Sequence, residues 1–158
     1  MIISLKEFIR NGQFGPIEIG ESKHAIVGAL GEPDSDNDMG ENGCILRYGW
    51  YELFIDSKDS LYAIQNDNYD SGLPETYEFR NEKVEIDSWF MNFTQGQDIE
   101  SISKQIRNED ITVEEVEYYG RVVLRAQSGL IIDFTEEENE CGKRELLGFR
   151  FWPAASIA

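Results

Sequence analysis

Apolar residues recur along this chain at two spacings, and the switches between them mark out its elements. Residues 4–10 place Leu5, Phe8 and Ile9 on one side, enough for a helical turn or more. In the segment SKHAIVGAL (22–30), Ile26 and Leu30 stand four apart beside Val27, giving a short helix an apolar stripe. Ser22 is placed to accept from a first-turn amide, Gly31 to take a left-handed conformation at the end, and Pro33 to prevent continuation. So short a helix needs a sheet to pack against. A polar, glycine-containing loop is expected over 34–43. CILRYGWYELFID then alternates in two phases, Leu46/Tyr48/Trp50 and Tyr51/Leu53/Ile55. The phase change at Gly49–Trp50 predicts a tight turn or bulge between two strands, and a second turn over 57–60 leads to a third strand at 61–65.

Residues 67–92 read as a connection, polar at first, with Pro74 before a short strand at 76–80 and with Trp89, Phe90 and Phe93 anchoring it by burial. Helical spacing returns at Ile99, Ile102 and Ile106, with Asp98 or Thr94 as the cap. Strands are expected at 113–118, 121–126 and 130–134, with a turn at Ser128–Gly129. An acidic loop follows, and then a strand over 146–152 in which Leu147, Phe149 and Phe151 point one way. The pattern of 14–66 therefore returns, degraded, in 93–152. The clean alternation favours antiparallel sheet with one solvated face. The expected fold is α+β, a single compact domain over 1–158. It holds two tandem helix-plus-antiparallel-sheet units, their sheets continuous or adjacent, with the helices packed on one face.

The stretch FGPIEIGESKHAIVGALGEPD (14–34) resembles the opening of beta-lactamase-inhibitor-like domains and of small outer-membrane assembly lipoproteins. The matching residues are Gly20, Ser22, Leu30, Gly31 and Pro33. The resemblance implies a short helix before a three-stranded sheet and, in the inhibitor family, two such units presenting a broad sheet surface to a protein target. These positions belong to turn chemistry and imply no active site. The second unit departs from the pattern, since residues 106–111 read IRNEDI where the Leu-Gly-x-Pro exit would stand. The paired disulfides and lipid-attachment cysteine of the secreted relatives are also missing, which argues against beta-lactamase inhibition and an outer-membrane role. In size, acidity and architecture the chain also resembles small cytoplasmic immunity proteins of bacterial polymorphic toxin systems, several of which neutralise basic nucleases.

Charge sharpens this picture. The 158 residues hold 31 acids against 14 bases, a formal net charge of −17. Up to Phe79 there are five basic and fifteen acidic residues, and beyond it nine and sixteen, so the acidity is no tail. Such a field repels nucleic acid and anionic membrane and speeds association with a basic protein. The 41% hydrophobic content supports a packed core, and no stretch approaches a membrane span. The N-terminal residues lack a secretory h-region, so a cytoplasmic location is expected. Cys44 and Cys141, far apart in sequence, are expected to remain thiols.

Reaction chemistry has little to stand on. His24 is the only histidine and has no nucleophile or orienting partner in view. Phosphate-cradling glycine motifs and zinc spacings are missing, so no cofactor is expected. Asp34, Asp36 and Asp38 alternate in DSDNDMGENG and could collect calcium ligands, but Gly40 falls one place late for an EF-hand and the twelfth position is Ile45. What remains is binding. Trp50, Tyr51, Tyr118 and Tyr119 are candidate aromatic anchors, and Glu136, Glu137, Glu138 and Glu140 form the densest negative patch. The leading expectation is a non-catalytic inhibitor, an immunity protein that occludes a basic toxin or nuclease. The alternatives are a structural or scaffolding module and a calcium-dependent binding module.

Overall fold

The computed structural model describes residues 1–93 and 96–153. Each helix starts at a side chain able to satisfy its open amides. The Ser4 hydroxyl accepts from the Glu7 amide at 3.2 Å and opens α1 (Leu5–Asn11), which buries Leu5, Phe8 and Ile9. Just before it lies β1 (Ile2–Ser4), three residues too short to leave an alternation in the sequence. The Ser22 hydroxyl accepts from the Ala25 amide at 3.1 Å and opens α2 (Lys23–Leu30), with Ile26 and Leu30 buried. Gly31 ends it at φ 91° and ψ −179°, a positive φ as expected but with an extended ψ in place of the left-handed turn.

In chain order the next elements are β2 (Ser35–Asp38), β3 (Cys44–Tyr48), β4 (Tyr51–Ile55), β5 (Leu61–Asn66), β6 (Phe79–Arg80), β7 (Glu85–Asp87) and α3 (Ile99–Arg107). They are followed by β8 (Val113–Tyr118), β9 (Arg121–Ala126), β10 (Ile131–Phe134) and β11 (Leu146–Phe151). At the start of α3 the Asp98 carboxylate accepts from the Ser101 amide at 3.0 Å and from its hydroxyl at 2.8 Å. Thr94, the other cap candidate, lies outside the described residues. Burial works to raise the Asp98 pKa, but the two Ser101 bonds and nearby Lys143 outweigh it and hold the group below its ordinary 3.8. A depressed carboxylate contributes stability above the unfolded-state value and loses it as pH falls through the folded one. The stability advantage of the native chain over Asp98→Asn, whose amide still caps, is therefore expected to shrink as urea midpoints are measured downward from pH 5. An advantage independent of pH would remove Asp98 as its source.

Eight strands form one antiparallel sheet in the order β2-β3-β4-β5-β11-β10-β9-β8. The expected turn at Gly49–Trp50 joins β3 to β4, and β8, β9 and β11 fall within a residue of expectation. Strand β2 lies inside the stretch read as a loop. It is an edge strand of four polar residues, three of them exposed, so no apolar alternation announces it. A second sheet, β1-β7-β6, pairs β1 parallel and β6 antiparallel to β7. Its strands β6 and β7 lie in the connection, where only the short strand near 76–80 was expected and the observed strand is Phe79–Arg80. Phe90 is fully buried, and Trp89 and Phe93 are half-buried against the core.

The helices and the small sheet cover one face of the large one. Phe8 anchors that layer, its ring 5.1 Å from Phe14, 5.7 Å from Phe149 and 4.9 Å from Phe151. Strands β5 and β11 meet at the middle of the sheet, where a Cβ on Gly148 would stand 1.9 Å from the Asn66 carbonyl oxygen. Only glycine permits that approach. Cys44 and Cys141 are free thiols, half-buried and exposed respectively. No described helix is long and apolar enough to cross a membrane.

Candidate protein-binding surface

In an antiparallel sheet alternate connections lie at the same end. Here the 49–50 turn, the 118–121 turn, the loop over 135–145 and the chain leaving β5 share one end. The structure thus gathers most of the candidate anchors along one edge of the sheet, but in two groups. Five strand spacings, roughly 24 Å, separate the hairpin of Trp50 from that of Tyr118 and Tyr119.

Tyr51 is not among them. It is wholly buried on the helix-covered face, with its hydroxyl donating to the Tyr77 carbonyl at 2.6 Å. Burial drives its pKa far upward. A partner cannot reach it. Its neighbour Trp50 is half-buried and carries the Arg47 guanidinium 4.5 Å above its ring, a cation–π contact.

The second group is tighter. Tyr119 and Gly120 form the two-residue turn between β8 and β9 with φ of 48° and 83°. Both values are positive, as a type I′ turn demands, and Asn or Gly is the ordinary choice for such a position. A large aromatic residue there is strained, and Tyr119 is 79% exposed. Tyr118 stacks edge-on against it with ring centroids 4.6 Å apart. Beneath them Arg121 donates from Nε and Nη2 to both oxygens of Asp133, at 2.8 and 2.5 Å. Asp133 is only 3% exposed. That hydrogen-bonded pairing raises the Arg121 pKa despite partial burial. Arg121 also approaches Glu136 at 3.8 Å, tying the hairpin to the acidic loop. Glu137, Glu138 and Glu140 are exposed beside it.

Sequence reading missed the face of the sheet that none of the described helices covers. The strand registers place Glu114, Arg125, Ile131, Arg150, Gln65, Glu52, Arg47 and Ser35 side by side across all eight strands. Ala63, Val123 and Ile131 are buried on this face yet stand apart from the main core. Ile131 stands between Arg125 and Arg150 in the strand registers, and Ala63 beside Phe54. Next to the row, Phe54, Tyr62 and the 48% exposed Trp152 stack at 6.1 Å spacings. Arginine beside exposed aromatics is the composition of protein interfaces. The signal in the sequence was the recurrence of Arg at outward strand positions, legible only once the registers were known.

Asp34, Asp36 and Asp38 do not converge. Asp34 accepts from the Gly49 amide at 2.6 Å, Asp36 pairs with Lys23, and Asp38 accepts from the Gly40 amide at 2.7 Å. Among the described residues no three His, Cys, Asp or Glu side chains lie close enough to hold a metal ion. His24 is exposed on α2. No family model, curated protein or solved structure matches the chain.

Proposed function

We propose that this chain is a non-catalytic protein-binding inhibitor, an immunity protein that neutralises a basic toxin or nuclease by occluding it. The observation that carries the reading is Tyr119, an exposed aromatic held in a strained turn conformation beside carboxylates. Strain of this kind persists where the surrounding structure enforces it, and exposed tyrosines are strong interface anchors. The net charge of −17 supplies long-range attraction to a basic partner. The order of elements supports reading the chain as two tandem units behind one broad surface: α2 precedes the run β2–β5, α3 precedes β8–β11, and the last strands of the two runs pair.

A specific observation favours the scaffolding alternative. Both edge strands carry acids, Asp36 and Asp38 on β2 and Glu114, Glu115 and Glu117 on β8. Charges there prevent edge-to-edge pairing between copies, a role that needs no partner.

The test is a pull-down from the source cell at low and moderate salt, followed by titration of any captured basic protein. Binding at nanomolar affinity with loss of the partner's activity is expected, weakened by charge reversal at Glu136–Glu140. Tyr119→Asn separates function from structure. It should lower affinity by about 30-fold, a hot-spot loss of about 2 kcal/mol. It should also raise folding stability by up to about 1 kcal/mol through relief of the left-handed strain. Absence of a stoichiometric partner at either salt sinks the inhibitor reading and leaves the scaffold ahead.

A further inference from the structure

At the same end of the sheet, the inner side of the acidic loop faces a cleft of about 770 Å³. Its other walls come from residues 69–77 and from the chain entering α3. We infer that this cleft receives a guanidinium group, an arginine side chain carried on the surface of the protein partner.

Aromatic rings form one wall. Tyr69 and Tyr77 lie with centroids 5.5 Å apart, and Phe93 also faces the cleft. Tyr77 is 7% exposed and its side chain makes no hydrogen bond among the described residues. Among the described residues the buried Tyr69 hydroxyl has no partner in hydrogen-bonding geometry, although Ser71 is close enough to oppose the rise in its pKa to about 12 that burial causes. Carboxylates of Asp70, Asp98 and Glu145 outnumber the one cation, Lys143, whose ammonium lies 3.6 Å from Glu100. The cleft is therefore electronegative and walled in part by aromatic rings, a setting that favours a cation.

The decisive group is Gln97. Its Nε2 donates to the carbonyls of Met91 and Phe93 at 3.1 and 3.2 Å, which fixes the orientation of the amide. Among the described residues the buried Oε1 has no donor. A buried acceptor without a partner is rare in folded proteins and asks for a ligand or water carrying N–H or O–H groups. Guanidinium has five such donors in a plane, pairs with carboxylates and stacks on aromatic rings, whereas ammonium is a compact point charge. An anion meets three carboxylates, and the described residues hold no metal-binding cluster.

That the arginine belongs to a protein rests on the inhibitor reading; the chemistry of the cleft does not. The probe is therefore N-acetyl-arginine-amide, titrated into the full chain and followed by backbone amide NMR. Saturable shifts confined to Tyr69–Tyr77, Gln97–Asp98 and Lys143–Leu147 are expected, with no saturation by the neutral isostere N-acetyl-citrulline-amide. Asp70→Asn combined with Glu145→Gln should weaken binding by about fivefold, and Lys143→Gln should tighten it by about twofold, as exposed charge pairs do. Both variants change exposed residues, and their thermal melts check that the fold survives. No saturable shift, or equal binding of the citrulline analogue, overturns the cleft as a guanidinium site. In a second arm the arginine amide competes with the captured partner. Competition supports the partner as the source. A partner that binds and is inhibited, yet tolerates the double variant and the competitor, overturns that source while the inhibitor reading stands. Saturation by the arginine amide in the absence of any partner sinks the inhibitor reading and leaves the guanidinium site in place.

Discussion

Phe149→Ala is expected to destabilise the fold by about 3–5 kcal/mol, the range for deleting a buried phenylalanine. Phe149 is fully buried on β11, one residue beyond Gly148, where the two halves of the sheet join. Its ring lies 5.7 Å from Phe8, 6.2 Å from Tyr51 and 6.2 Å from Phe90. It therefore bonds together α1, the first run of strands and the connecting segment. Relaxation into the gap is restricted because Tyr51 is held by its bond to Tyr77 and Phe8 by its own ring of aromatics. The cost should show in urea midpoints followed by fluorescence and by circular dichroism, with coincident loss of both signals. Phe149→Leu, which keeps most of the volume, should cost less than half as much. A loss below about 1 kcal/mol for the alanine variant is incompatible with this packing.

The Arg121–Asp133 pair should give the second largest effect, for an electrostatic reason. Removing the guanidinium by Arg121→Met leaves the Asp133 carboxylate, 3% exposed, with only the Phe134 amide as donor among the described residues, at 2.9 Å. Breaking a buried pair from one side costs about 3–5 kcal/mol. Arg121 itself retains 20% side-chain exposure, so the lower end, about 3 kcal/mol, is expected. Replacing both residues with apolar ones, Arg121→Met with Asp133→Leu, should recover most of the loss because no charge is then stranded. Urea unfolding of the two single variants and the double variant forms the cycle. Additive losses would mean that the two groups do not depend on one another. The hairpin of Tyr118 and Tyr119 stands on this pair, so the double variant also reports whether partner affinity needs the hairpin fixed in place.

Much of the strand pattern was readable before the fold because one face of the large sheet is dry. Leu46, Tyr48, Leu53 and Ile55 alternate for that reason, as do Leu124 and Ala126. Ser22 and Asp98 announced their helices because an open amide needs a short polar side chain at a fixed offset. The elements that escaped notice are those without a dry face or sufficient length: β2 at the edge, and the three-residue strands β1 and β7 of the small sheet. Among site residues, Tyr118, Tyr119 and the acids at 136–140 came to the surface, whereas Tyr51 went to the core. Trp50 and Tyr51 are adjacent in sequence, and composition cannot say which side of the turn faces inward.

Local chemistry in the sequence therefore determined the helix starts, the hairpin turns, the α+β class and the electronegative character of the chain. Each depends on neighbours within a few residues or on a simple sum of charges. Tertiary structure alone decided that β5 and β11 join the strands into one sheet, and that arginines from different strands stand in one row. It alone brought Gln97, Tyr69, Asp70 and Glu145 around a single cleft. Those arrangements depend on register and long-range contact, where a shift of one residue exchanges the two faces of a strand.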